Sequence, residues 1–149
     1  MLEEISSSIH IVALGECTVG KTAYINKNVN GNFENTLATI GFDFKYKYLS
    51  LTNGERIKII FEDTSGQERY HSLSLNFIRK ANGVVLMYDI TKKNTFETVS
   101  NWCNQIWEYK KKDFPVILLG NKCDLENERQ VQREEGEQIS SLSEMNSHW

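Results

Sequence analysis

The spacing of apolar residues changes several times along this chain, and each change predicts an element. "IHIVAL" (Ile9 to Leu14) is a short apolar run ending at Gly15, as a buried strand would be. The segment after Lys21 predicts a first helix of weak periodicity. "GFDFKYKYLSL" alternates, with Phe42, Phe44, Tyr46 and Tyr48 on one face and Asp43, Lys45 and Lys47 on the other, the pattern of a half-exposed strand. Asn53-Gly54 is a two-residue hairpin signal, and "ERIKIIF" returns as the antiparallel partner. "GVVLMYDI" and "PVILLGN" are continuous apolar runs, as in parallel strands covered on both faces. Between them Phe96, Val99, Cys103 and Ile106 recur at helical spacing, with Asn94 as the expected cap and Trp102 and Trp107 beside the stripe. Lys110 to Lys112 close that helix as a solvated terminus. A last helix is predicted from Val131 to Leu142, with Ile139 and Leu142 pointing inward. Strands alternating with helices give an α/β fold: a doubly wound, mostly parallel sheet with one antiparallel hairpin. Ligands of such sheets bind at the carboxyl ends of the strands.

Composition narrows the class. A chain of 149 residues suits one domain, here 1–149, and 40% apolar with 25% charged residues is ordinary for a globular protein. A formal net charge of −3 gives no electrostatic case for nucleic acid. No apolar run would span a bilayer. The acidic "MLEEISSSIHIVAL" start is unlike a secretory signal, so an intracellular, cytoplasmic protein is expected. Cys17, Cys103 and Cys123 form no C-x-x-C pair and are read as reduced thiols, and none stands where a prenylation box would.

"GECTVGKT" fits G-x-x-x-x-G-K-[ST] between a strand and a helix. The backbone of Gly15, Glu16, Cys17, Thr18, Val19 and Gly20 would curl its N–H groups into an anion nest. Lys21 would reach the outer phosphates, and the Thr22 hydroxyl would take one Mg²⁺ position. Alone, this loop does not separate ATP from GTP. "NKCD" follows the "VILLG" strand. Asp124 there would accept two hydrogen bonds from guanine and be left unpaired against adenine. Asn121 would tie the loop, and the Lys122 stem would lie over the ring. In "FEDTSGQERY" Asp63 would hold the Mg²⁺ shell, the Gly66 N–H would meet a γ-phosphate, and Gln67 would orient a water. Thr39 would ligate Mg²⁺ only when a γ-phosphate draws its loop inward. Gln67, Lys21 and Thr39 form the candidate catalytic set.

With "GECTVGKT", "ATIGFDF", "DTSGQERY", "VLMYDIT" and "LLGNKCDL" in order, and "RQVQREEGE" after them, the chain resembles the Ras superfamily of small GTPases, specifically its Rab branch. The resemblance implies a Mg²⁺-dependent GTP/GDP switch of slow hydrolysis that acts in vesicle traffic. It implies exchange factors, activating proteins and effectors meeting Thr36–Phe44 and Asp63–Phe77. It implies Phe33 packed edge-on to the guanine. It also implies residence on the cytosolic face of vesicle or Golgi membranes if the complete protein is lipidated. Against the family pattern, Thr18 replaces a small residue, an awkward choice if φ is positive there. Cys17 replaces a common Ser, Ser65 replaces Ala, and Glu62 stands where an aromatic triad with Phe44 and Phe77 has Trp. An acid between two aromatics would repel the usual effectors. The family also continues with an edge strand, a "SAK" loop and a final helix. The chain is thus expected to lack that last strand and helix and to be marginally stable, or to pair with a copy over its open face. Two other readings stand beside the switch: a degenerate interaction module of weak or no nucleotide binding, and an ATP-binding enzyme, against which "NKCD" argues.

Overall fold

The computed structural model describes residues 5–33, 39–40, 42–66 and 71–148. The sequence folds into strands β1 (Ile5–Leu14), β2 (Phe42–Ser50), β3 (Arg56–Thr64), β4 (Gly83–Asp89), β5 (Val116–Asn121) and β6 (Asn146–His148). Helices α1 (Lys21–Asn30), α2 (His71–Lys80), α3 (Lys93–Glu97), α4 (Val99–Tyr109) and α5 (Arg133–Leu142) lie between them. The sheet order is β2-β3-β1-β4-β5-β6, with β2 antiparallel to β3 and the remaining pairs parallel. This is the predicted α/β class.

Alternation assigns the layers. Val12, Leu14, Val84, Leu86, Tyr88, Val116 and Leu118 face α2 and α4, where Ile78 and Ile106 complete the main core. Ala13 and Phe61 face the opposite way and receive Ile25 from α1. The aromatics of β2 stay on the open part of the first face: Phe42, Phe44, Tyr46 and Tyr48 are exposed. Lys58 lies over the Tyr46 ring and Arg56 over Tyr48.

Several local expectations are corrected. The hairpin closes with Leu51 N–H on Glu55 O at 2.8 Å, around a three-residue loop rather than two. Gly54 takes φ 86° there, and its N–H bonds Leu51 O, the geometry of a type I turn followed by a left-handed residue. The helix expected through Phe96 and Ile106 is interrupted at Thr98, whose hydroxyl donates to Thr95 O at 3.0 Å. Asn94 is not its cap, because α3 starts one residue earlier behind an extended Lys92. Leu142 is 78% exposed, since the inward face of α5 is Gly136 and Ser140 with Ile139 partly buried beside them. The last strand, expected to be missing, forms as the short β6 against Ile117–Leu119. Met145 delivers it: its N–H bonds Ser140 O at 2.8 Å, its side chain is buried, and Glu144 turns the chain at φ 55°.

Lys110 is not a solvated charge either. Its Nζ donates to Arg79 O at 3.0 Å and Ala81 O at 2.8 Å, the carbonyls that end α2. We expect Lys110→Ala to lower stability by about 1 kcal/mol in thermal melts. The exposed neighbour Lys111→Ala should leave the melting temperature unchanged.

Candidate functional site

The loop after β1, the end of β3 and the end of β5 meet at the carboxyl ends of the parallel strands. Their parallel pairing sets the positions: Ala13 is the partner of both Asp63 and Val85. The loop leaves β1 at Leu14 and enters α1 through Gly20 at φ 101°. A Cβ on Gly20 would run into the Asn121 amide, which donates to Val19 O at 2.8 Å. The Asn121 segment is therefore fastened to the loop between β1 and α1 through a position where only glycine fits.

Lys21 is buried, and its Nζ donates to Gly15 O at 2.9 Å and Glu16 O at 2.7 Å. Burial lowers its pKa to about 8, and Asp63 works against that shift. A Cβ on Gly66 would stand 2.6 Å from Lys21 Nζ and 2.5 Å from Gly15 O. Gly66, at φ 68°, thus lets the backbone after β3 come down onto the phosphate loop.

Thr22, Thr39 and Asp63 come together at the end of β3, with Thr39 already beside the other two. Thr22 Oγ1 donates to Asp63 Oδ2 at 2.5 Å and lies 2.8 Å from Thr39 Oγ1, which is 3.2 Å from the same Oδ2. Asp63 is fully buried, and among the described residues its Oδ1 has no hydrogen-bond partner. Burial raises its pKa, with the Thr22 bond, the Lys21 charge and the Thr39 bond opposing. Two hydroxyls and a carboxylate with a free oxygen suit Mg²⁺, which takes hard oxygens and is completed by phosphate and water. Among the described residues no cluster of three His, Cys, Asp or Glu marks a different metal.

A cavity of about 340 Å³ opens beside this set, lined by Cys17, Thr18, Lys21, Thr22, Thr39 and Lys122 among others. Lys122 reaches this cavity from β5, and its Nζ pairs with Asp89 Oδ2 at 2.7 Å. Asp124 is exposed in the 3₁₀ turn Cys123–Glu128 that follows. Phe33 is 72% exposed, with Lys27 5.2 Å above its ring. Gln67 lies outside the described residues, as do the 36–38 and 41 parts of the Thr36–Phe44 segment and the 67–70 part of Asp63–Phe77.

Two departures noted in the sequence resolve differently. Thr18 does sit at φ 66°, a conformation that β-branched side chains resist. Glu62 is the cross-strand partner of Phe44, but it is no exposed acid. It is 2% exposed and turned onto β1, where its Oε1 accepts from His10 Nδ1 at 2.9 Å. Phe42 completes the aromatic cluster instead, 5.3 Å from Phe44 and 5.0 Å from Phe77, with those two 5.9 Å apart. Repulsion by an exposed acid is thereby removed. Trp102, placed from the sequence only beside the helical stripe, donates from Nε1 to Glu16 Oε1 at 3.4 Å, and the sequence does not single out Asp89 at all; neither contact carries a local signal.

Residues 10–147 match the model of the Ras family. Curated relatives include Ras-related protein Rab-10 of Diplobatis ommata, 41% identical over 87% of this chain and 65% of its own length. Rab-13 of Rattus norvegicus is 40% identical over 87% of this chain and 64% of its own. Rab-8A of Gallus gallus is 39% identical over 88% and 63%. The chain spans less than two thirds of these relatives' length.

Two outcomes follow. Thr18→Gly should raise stability by about 1 kcal/mol, the left-handed strain relieved less the backbone entropy of glycine, as read in a melt. Asp63→Asn should stabilise the metal-free chain increasingly as pH rises from about 4. The folded carboxyl holds its proton to higher pH than the unfolded one, so the parent loses stability across that window and the amide does not.

Proposed function

Because the chain belongs to the Ras family and its relatives include Rab proteins, we propose that it is a Rab-like switch that binds GTP and GDP with Mg²⁺, slowly hydrolyses GTP and regulates vesicle traffic. One observation carries the reading: Lys21, Thr22 and Thr39 line the cavity into which Lys122 also reaches, Asp63 is bonded to both threonines behind them, and Asn121 is bonded to the same loop.

In this reading Lys21 exchanges its two carbonyl contacts for β- and γ-phosphate oxygens, and the N–H groups of 15–20 cradle the chain of phosphates. Thr22, Thr39 and the Asp63 carboxylate would hold Mg²⁺, which would supply positive charge beside the phosphate oxygens. Thr39 and Gly66 come from the two segments that answer to a γ-phosphate, so its loss releases both. Gln67 orients the attacking water. Asp124 accepts from guanine and Phe33 packs at its edge. Exchange factor, activating protein and effectors engage Thr36–Phe44 and Asp63–Phe77, whose described parts hold the Phe42, Phe44 and Phe77 cluster. Self-association would use the sheet face on which Ile117 is 42% exposed.

Single-turnover hydrolysis of GTP with Mg²⁺ tests the enzyme. Slow turnover is expected, reduced at least tenfold in Gln67→Leu while GTP stays bound. Bound GTP that neither protein hydrolyses would leave a binding module instead.

A further inference from the structure

Asp89 ends β4 as a carboxylate with no solvent exposure. Its two oxygens have different duties. Oδ1 accepts from the Thr91 N–H at 2.9 Å and the Thr91 hydroxyl at 2.6 Å, which is a local turn. Oδ2 leaves its own strand and meets Lys122 Nζ at 2.7 Å. Asp89 and Asn121 are register partners in the β4–β5 pair, so this ion pair joins two neighbouring strand ends just where the base-reading segment starts. The backbone around it is also tied down. The Asp89 N–H bonds Thr95 Oγ1 at 3.0 Å, and the Ile90 N–H bonds Asn121 O at 3.1 Å.

Burying a carboxylate costs several kcal/mol unless a cation answers it. Serving Thr91 does not need that charge, because an asparagine oxygen would accept both bonds. Only the contact with Lys122 uses it. Lys122 in turn needs holding. It stands at φ 68°, where a side-chain-bearing residue is strained, and its long stem has many rotamers to lose. The pair fixes both the strained backbone and the direction of the stem at the cavity wall.

We propose that Asp89 is a positioning residue for the guanine site: through its ion pair it holds the Lys122 stem and ammonium where they meet the nucleotide, and so sets the nucleotide's residence time. This rests on the guanine-nucleotide reading above. Asp89 itself touches no ligand. It works through Lys122, and the signature of that role is coupling between the two residues.

The test loads the parent, Asp89→Asn, Lys122→Met, the double variant and Thr91→Val with a fluorescent GDP analogue and Mg²⁺. Release is then timed under excess GDP, and each protein's melting temperature is recorded. Asp89→Asn and Lys122→Met should each release about tenfold faster than the parent, the worth of one charge-assisted contact. The double variant should be no faster than Lys122→Met, and Thr91→Val should release as the parent does. Parent-like release from Asp89→Asn overturns the proposal. So does a further acceleration by Asp89→Asn in the Lys122→Met background, which a merely structural role would produce. Should Asp89→Asn melt too low to load, Lys122→Met decides, because parent-like release there leaves Asp89 nothing to position. A parent that takes up no GDP analogue at the loading step overturns the guanine reading itself, and the proposal with it.

Discussion

Everything at the site depends on the register of β1 against its two parallel neighbours. Ala13 pairs with Asp63 on one side and Val85 on the other, so the phosphate loop leaves the sheet level with the β3 carboxylate. The Thr64 hydroxyl adds a bond to Ala13 O at 2.8 Å. A slip of one residue would turn Asp63 to the opposite face and Val12 and Leu14 out of the core, so apolar burial and site geometry are specified by the same pairing. That is why a sheet built for packing also delivers Lys21, Thr22 and Asp63 within bonding distance.

The second constraint is electrostatic. Two carboxylates, Asp63 and Asp89, are withdrawn from water at the strand ends, and each faces a lysine from a different segment. Asp89 is answered directly by Lys122, which holds its carboxyl below the usual range against the cost of burial. Asp63 is answered by hydroxyls and the more distant Lys21, and burial prevails, leaving its carboxyl above the usual range. The contrast separates a finished ion pair from a carboxylate suited to a cation. Glu62 is a third withdrawn acid, and its bond to His10 leaves Phe42, Phe44 and Phe77 as an uninterrupted aromatic surface.

What was legible in the sequence was local or strongly periodic. "GECTVGKT" carries its geometry within eight letters, and "GVVLMYDI" forms the covered strand β4, whereas "PVILLGN" forms β5 with Ile117 exposed on one face. The mostly parallel sheet and its antiparallel pair could be anticipated from such runs and from the alternation of "GFDFKYKYLSL". The misses share a different cause, which is a side chain finding a partner far along the chain. Glu62 turned to His10, Lys110 reached the end of α2, and Asp89 reached Lys122. Leu142 and β6 escaped for packing reasons. A glycine and a serine form the inward stripe of α5, and the buried Met145, whose N–H bonds Ser140 O, carries Asn146 to the edge of β5.

The central claim is that these strand ends form one guanine-nucleotide site. Identifying the nucleotide released from freshly purified protein, by chromatography after denaturation, tests it most directly. A guanine nucleotide at close to one equivalent, without adenine nucleotide, is the predicted result. A protein that carries no nucleotide and takes up none with Mg²⁺, or one that carries ADP or ATP, would contradict it.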